Sequence, residues 1–108
     1  MVQQIGVREL NERIKAKHAL LLLDVRQPWE HETAALPGSV LIPLDELPSR
    51  ADEIELPEGA TIVAYCHHGV RSLSAAALLE RLGFADVVSL RGGIDAWSIH
   101  VDPGVPRY

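Results

Sequence analysis

Continuous apolar runs alternate with helix-like stretches along this chain. Residues 19–25 and 60–65 carry almost no charged side chains, which is typical of strands that are buried on both faces of a parallel sheet. Apolar positions in residues 7–14 and 71–82 recur instead at helical spacing, as expected for helices that pack one face against a sheet. Strands that alternate with helices in this way predict an α/β domain with a parallel sheet.

Prolines, glycines and short apolar runs predict the remaining elements. Two further strands are expected at residues 40–42 and 85–90, each preceded by a turn signal. Proline suits the first turn of a helix, so a short helix is expected from Pro28. Another helix is expected at residues 44–50, which Pro48 should shorten or kink. Residues 102–108 contain two prolines and a glycine, and we expect this tail to be irregular.

The composition indicates one small domain that covers residues 1–108. Apolar residues make up 47% of the chain and charged residues 23%, which is ordinary for a globular protein. The formal net charge of −5 argues against nucleic acid or an acidic membrane surface as a partner. The longest apolar run is too short to span a bilayer, and the N-terminus lacks a signal-peptide pattern, so we expect a cytoplasmic protein.

The chain has one cysteine, Cys66, which falls between the strand at 60–65 and the helix at 71–82. One cysteine can form no internal disulfide and cannot by itself supply a zinc site. Backbone amides at a helix N-terminus stabilise anions, and a nearby cation such as Arg71 favours the thiolate. Gly69 permits the tight turn that such a loop needs. The loop therefore predicts a nucleophile that attacks sulfur, phosphorus or arsenic and then holds the charged adduct.

A second polar residue, Asp24, also falls at the end of an expected strand. The carboxyl ends of parallel strands meet at one edge of a sheet, and ligands bind there. We therefore expect Asp24 and Cys66 to lie on the same rim.

Four short motifs follow one another along the chain. They are LLDVRQPWE at residues 22–30, LPGSVLIPL at residues 36–44, CHHGVRS at residues 66–72 and GGIDAW at residues 92–97. Each is weak alone, but in this order and spacing they resemble the rhodanese (thiosulfate sulfurtransferase) family over nearly the whole chain.

The resemblance implies a five-stranded, mostly parallel sheet flanked by helices on both faces, and a double-displacement reaction. In that reaction Cys66 takes a sulfane sulfur from thiosulfate or a persulfide, stands as a persulfide, and passes the sulfur to cyanide or a thiol. The implied substrate-binding loop consists of His67, His68, Gly69, Val70 and Arg71. The implied supporting residues are Asp24, Arg26, Glu30 and Ser72. The resemblance implies neither a metal nor a cofactor.

The resemblance also bears on partners. Residues 102–108 are similar to the ends of rhodanese domains that are fused to enzymes adenylylating ubiquitin-like sulfur carriers. A sulfur-carrier or thioredoxin-like protein is therefore a candidate partner beside the small-molecule donor and acceptor. We expect the protein to act as a monomer, without nucleic acid or membrane.

Two groups of charged residues have alternative roles. Arg71 could contact the substrate or could pair with a carboxylate such as Glu30, since the guanidinium fork suits both. Asp24 and Arg26 are interpreted as structural residues, because polar groups at strand ends often cap loops and helices.

The paired histidines and the tryptophans are interpreted in the same way. We expect His67 and His68 to present backbone amides rather than to shuttle protons, because persulfide transfer depends on a thiolate and on anion stabilisation. Strong thiosulfate users of the family often carry arginine or lysine at these positions, so mostly neutral imidazoles predict weak binding of the thiosulfate dianion. Trp29 and Trp97 are interpreted as packing residues rather than as stacking platforms.

Two other functions stay open. A phosphatase or arsenate reductase could use the same cysteine, but four residues separate Cys66 from Arg71, whereas phosphatases of this fold have a wider loop with one more residue. An arsenate reductase would need an external thiol, because the chain has no second cysteine to resolve an oxidised Cys66. A non-catalytic module that binds a protein partner through the loop rim is the other alternative.

Overall fold

A single five-stranded sheet organises the protein, which is described here over residues 2–108 by a computed structural model. The elements in chain order are β1 (Gln3–Ile5), α1 (Val7–Lys15), β2 (Leu20–Asp24), α2 (Pro28–Thr33), β3 (Val40–Leu41), α3 (Leu47–Arg50) with a 3₁₀ turn at Ala51–Glu53, β4 (Thr61–Tyr65), α4 (Arg71–Arg81), β5 (Val87–Leu90) and α5 (Gly93–His100). The strand order is β1-β5-β4-β2-β3, and all four neighbouring pairs are parallel. The expected five-stranded α/β fold is confirmed.

The central strand β4 separates two hydrophobic cores. All five of its residues are buried, and successive side chains point to opposite faces of the sheet. Ile62 contributes to the core that contains Leu79 of α4. Val63 contributes to the core that contains Leu10 of α1 and Ile94 of α5. Helices therefore cover both faces, as predicted.

The same strand brings the candidate residues to one edge of the sheet. Asp24, the last residue of β2, is in register with Tyr65, the last residue of β4. Cys66 follows Tyr65 directly, so Asp24 and Cys66 lie at the same carboxyl edge, as expected from the strand order along the chain.

Two elements, β1 and α5, have no predicted counterpart, and two others, α3 and β5, begin clearly later than predicted. β1 has no predicted counterpart, because only Ile5 of its three residues is buried and so short an edge strand carries no apolar alternation. α3 begins at Leu47, later than predicted, with Pro48 in its first turn; the proline therefore starts this helix instead of kinking it. β5 begins at Val87, again later than predicted.

The tail beyond α5 contains no regular secondary structure, as predicted. Within residues 2–108, no helix has both the length and the apolar character needed to cross a membrane.

Candidate active site

The sulfur of Cys66 lies in a cradle of hydrogen-bonding groups. The residue is 1% exposed. Its Sγ accepts the backbone N–H of Gly69 at 3.2 Å and that of Ser72 at 3.4 Å, and the thiol donates to Ser72 Oγ at 3.6 Å. Ser72 Oγ is in turn 2.7 Å from Ser89 Oγ on β5. Because these N–H donors point at the sulfur, the cradle can stabilise negative charge on it or on a sulfur adduct.

The start of α4 supplies part of that cradle. Ser72 is the second residue of the helix, and the first amides of a helix have no partner within it. One of these amides is used by Cys66 Sγ. The fully buried position of Ser72 keeps water from competing for the same donor.

The start of α5 holds the loop from the other side. Ile94 N–H donates to the carbonyl of Cys66 at 2.9 Å, and Asp95 N–H donates to that of His67 at 3.1 Å. Gly93 makes this approach feasible, because a Cβ at its position would collide with the carbonyl oxygens of Cys66 and His67. The backbone of the loop is therefore clamped between two helix N-termini.

Arg71 is braced by Glu30 of α2. Its two terminal nitrogens donate to the two carboxylate oxygens at 2.7 and 2.9 Å, and Glu30 is only 4% exposed. The hydrogen bonds from Arg71, with a further one from the backbone of Gln27, lower the pKa of Glu30 to about 2. Of the two roles considered for Arg71, the structure shows the ion pair; a contact between Arg71 and the substrate stays a prediction.

Asp24 and Arg26 form a buried pair beneath the loop. Both side chains are fully buried, and Asp24 accepts the Nε and Nη2 donors of Arg26 at 2.8 and 2.6 Å. His31 Nδ1 lies 2.8 Å and Tyr65 Oη 3.2 Å from the same carboxylate. Burial opposes the charge on Arg26, but the hydrogen bonds to Asp24 and Tyr108 outweigh it and raise the pKa of Arg26 above its ordinary value. This geometry favours the structural interpretation of both residues.

The two histidines stack on each other at the rim of the loop. Their ring centroids are 3.9 Å apart. Burial lowers the pKa of His67, and the neighbouring His68 adds to the effect, so the His67 ring is predominantly neutral at neutral pH. The His68 side chain is 63% exposed, with Nδ1 3.8 Å from the Asp95 carboxylate. Val70 at the loop tip is 74% exposed.

Tyr108 reaches the site from the irregular tail. The family resemblance extends over this tail but implies no site role for Tyr108. Its hydroxyl donates to Glu30 Oε2 at 2.7 Å and accepts from Arg26 Nη1 at 2.8 Å. Burial and the contact with Glu30 raise the pKa of Tyr108 to about 12, although Arg26 opposes the shift. Neither periodicity nor motif spacing marks a single tyrosine in a tail.

The two tryptophans differ from each other. Trp97 is 6% exposed and packs in a core, as predicted. Trp29 is 60% exposed, and its ring meets Tyr108 edge-on at a centroid distance of 5.8 Å. It therefore packs against the tail and not in a core.

Within residues 2–108, no group of three or more His, Cys, Asp or Glu side chains is placed to hold a metal ion.

Comparisons with known proteins agree with this architecture. The family model of the rhodanese-like domain matches residues 6–100. A sulfurtransferase from Allochromatium vinosum is 37% identical over 93% of this chain and 92% of its own length. A protein from Mycobacterium tuberculosis named probable adenylyltransferase/sulfurtransferase MoeZ is 39% identical over 96% of this chain. A crystal structure of a rhodanese-related protein from Thermoplasma volcanium superposes with a TM-score of 0.79 and 33% identity, covering 96% of this chain and 95% of that one.

The fold and these similarities define the class: the chain belongs to the family of rhodanese-like domains. The relatives from Allochromatium vinosum and Mycobacterium tuberculosis both carry sulfurtransferase in their names. The chain spans only 26% of the length of the MoeZ relative.

Proposed function

We propose that this protein is a sulfurtransferase that carries sulfur as a persulfide on Cys66. The observation that carries the proposal is the convergence of the Gly69 and Ser72 amides on Cys66 Sγ, at 3.2 and 3.4 Å. Preorganised donors of this kind stabilise a negative charge that stays on sulfur throughout the reaction.

The reaction has two displacement steps. First, the Cys66 thiolate bonds to the outer sulfur of the donor, and the donor's S–S bond breaks. The leaving group departs with the electron pair, as sulfite from thiosulfate or as a thiolate from a persulfide. Then an acceptor nucleophile bonds to the outer sulfur, the Cys66 S–S bond breaks, and Cys66 leaves as the thiolate. Cyanide becomes thiocyanate, and a deprotonated thiol becomes a persulfide.

The charges of the loop favour a persulfide over thiosulfate as the better donor. The Arg71 guanidinium is held in a two-point ion pair with Glu30, which offsets its charge. Burial keeps His67 largely neutral. The thiosulfate dianion gains little electrostatic stabilisation from such a rim. A persulfide group carries less negative charge, so it depends less on positive charge at the rim. We therefore place thiosulfate among the poorer donors.

A protein acceptor is also proposed. The MoeZ relative combines adenylyltransferase and sulfurtransferase in its name, which supports a sulfur-carrier protein as a partner of this chain. The exposed Val70 and His68 at the mouth of the loop are accessible to the end of such a carrier.

The experiment that tests the proposal is intact-protein mass spectrometry after incubation with glutathione persulfide or thiosulfate. We expect a gain of one sulfur atom, about 32 Da, which cyanide or excess thiol removes. Cys66→Ser is the matched control and should gain nothing. Absence of the adduct with both donors would overturn the proposal.

The alternative functions have their own controls. Hydrolysis of an aryl phosphate above the level of Cys66→Ser would support the phosphatase reaction. Binding of a protein partner that is unchanged in Cys66→Ala, with no sulfur adduct on the wild type, would support the non-catalytic module.

A further inference from the structure

The irregular tail ends against the catalytic loop through one side chain, Tyr108. The tail is first secured at two other points. Val105 packs against one of the hydrophobic cores, and Arg107 donates to the Asp95 carboxylate of α5 at 2.8 and 3.3 Å. These contacts deliver the Tyr108 ring to the edge of the sheet where Cys66 lies.

The Tyr108 hydroxyl joins two ion pairs that otherwise stand apart. It accepts a hydrogen bond from Arg26, which is paired with Asp24, and it donates one to Glu30, which is paired with Arg71. The buried pair under the sheet edge and the brace of the catalytic loop are thereby linked through one oxygen atom. Hydrogen bonds to charged groups are stronger than those between neutral groups. The link needs a hydroxyl at this point, because a hydroxyl can accept from Arg26 and donate to Glu30 at the same time.

The Tyr108 ring makes the second contact. It lies parallel to the ring of His67, with centroids 4.0 Å apart and an interplanar angle of 11°. His67 in turn stacks on His68. His67 is therefore held at its ring by Tyr108 of the tail and at its carbonyl by the Asp95 amide of α5.

We propose that Tyr108 is a positioning residue for the Cys66 loop. It fixes His67 by stacking and Glu30 by its hydroxyl, and so keeps the amides of Gly69 and Ser72 aimed at the sulfur during transfer. The inference rests on the proposed sulfur-transfer function and extends it to a residue outside the four motifs. Its action is indirect, through His67 and Glu30.

Two variants separate the contacts of Tyr108. Tyr108→Phe keeps the ring stack and removes the hydroxyl, whereas Tyr108→Leu removes both. The loss of a hydrogen bond to a charged group predicts a kcat/KM for sulfur transfer about tenfold lower in Tyr108→Phe, and a larger loss in Tyr108→Leu. The lower kcat/KM should come mainly from a higher KM for the sulfur donor, because neither variant alters the Cys66 thiol. Hydrogen exchange measured on peptides that cover residues 66–72 should speed up in the same order.

Leu20→Ala is the matched control, because it removes apolar packing from the same core that Val105 covers, but at the start of β2, away from the carboxyl edge of the sheet and from the tail. It should lower Tm while leaving donor KM and loop exchange close to the wild type. Equal effects of Leu20→Ala and Tyr108→Leu, or an unchanged loop in Tyr108→Leu, would overturn the inference; Tyr108→Phe, which keeps the ring, decides the question if Tyr108→Leu does not fold. If the wild type forms no persulfide but the loop loosens in the Tyr108 variants, the proposed reaction is wrong, whereas the positioning role of Tyr108 is supported.

Discussion

At the scale of single residues, His68 is an exposed side chain at the mouth of the loop, where an added charge would meet an entering anion. Its side chain is 63% exposed and points near Asp95, with Nδ1 3.8 Å from that carboxylate. The neighbouring His67 is held neutral by burial, and Arg71 is paired with Glu30. A fixed charge added at His68 would therefore act on an entering anion without disturbing the cradle under it.

We expect His68→Arg to improve the use of thiosulfate. A partly exposed cation near a dianion contributes about 1 kcal/mol, which corresponds to a KM for thiosulfate about fivefold lower. The measurement is steady-state sulfur transfer to cyanide at low and high ionic strength, because salt should weaken the gain.

His68→Gln serves as the neutral control for this change and should leave the KM for thiosulfate near the wild-type value. If both variants shift KM equally, the shape of the loop and not its charge sets donor affinity.

At the scale of elements, α5 acts on the loop through its N-terminus. The amides of Ile94 and Asp95 bind the carbonyls of Cys66 and His67, so the Cys66–His67 backbone cannot rotate its carbonyls toward the substrate. Gly93 stands at the point of closest approach, at a φ of +61°. The second glycine of the GGIDAW motif is thus a requirement of packing between two backbones.

Gly93→Ala is expected to damage the loop directly. The added methyl group would overlap the carbonyl oxygens of Cys66 and His67, and we expect a loss of stability of roughly 3 to 5 kcal/mol, typical of severe local strain. Urea denaturation and the rate of Cys66 alkylation measure the two consequences.

Gly59→Ala is the comparison variant. Gly59 has a similar φ of +73°, but a Cβ there would have no neighbour within 4 Å, so only the backbone penalty of about 1 to 2 kcal/mol applies. Similar losses of stability in both variants would show that glycine is needed at position 93 for its left-handed backbone and not for its close contact with the loop.

The elements that the sequence predicts well are those with strong periodicity. β2, β4 and α4 carry continuous apolar runs or a helical stripe long enough to define them. β1 could not be predicted, because Gln3 and Gln4 are exposed and its strand character comes from pairing with β5 at the edge of the sheet. Such an edge strand is specified by its neighbour and not by its own pattern.

At the scale of the whole molecule, a chain of charged groups connects distant segments. It runs from Asp24 through Arg26 and Tyr108 to Glu30 and Arg71. This chain couples β2, α2, the tail and the loop that follows Cys66. Because it passes through buried carboxylates, its stability depends on pH.

Acid should weaken the fold through Glu30. Its pKa is about 2 in the folded protein against an ordinary 4.5. The stabilisation is therefore fully present above the ordinary pKa and is lost as pH falls toward 2. Because Arg71 is partly exposed to water, we expect about 2 to 3 kcal/mol to be lost over that range.

Chemical denaturation between pH 7 and pH 2 measures this dependence. Glu30→Gln should be less stable than the wild type at pH 7 and should show a shallower fall in acid. Glu32→Gln, an exposed neighbour on α2, should track the wild type. A Glu30→Gln curve parallel to that of the wild type would mean that other carboxylates carry the acid sensitivity.

The candidate site was predictable where it follows from strand order, and not elsewhere. Asp24 and Cys66 could be placed together because both end parallel strands. The pairing of Arg71 with Glu30 was one of two roles suggested by the guanidinium fork, and the structure contains it. Tyr108 could not be found this way, because it lies 78 residues from Glu30 along the chain and its place depends on how the tail folds back.

The attachment of Cys66 to β4 has a consequence for the order in which the molecule opens. β4 is hydrogen-bonded to a strand on each side, and strands at the centre of a sheet have the highest free energy of local opening. Val70 at the loop tip, by contrast, is 74% exposed and should open in small, frequent fluctuations. Mild warming should therefore relax the discrimination among sulfur donors while Cys66 Sγ keeps its place. Donor preference measured as a function of temperature should change below the temperature at which the sheet unfolds.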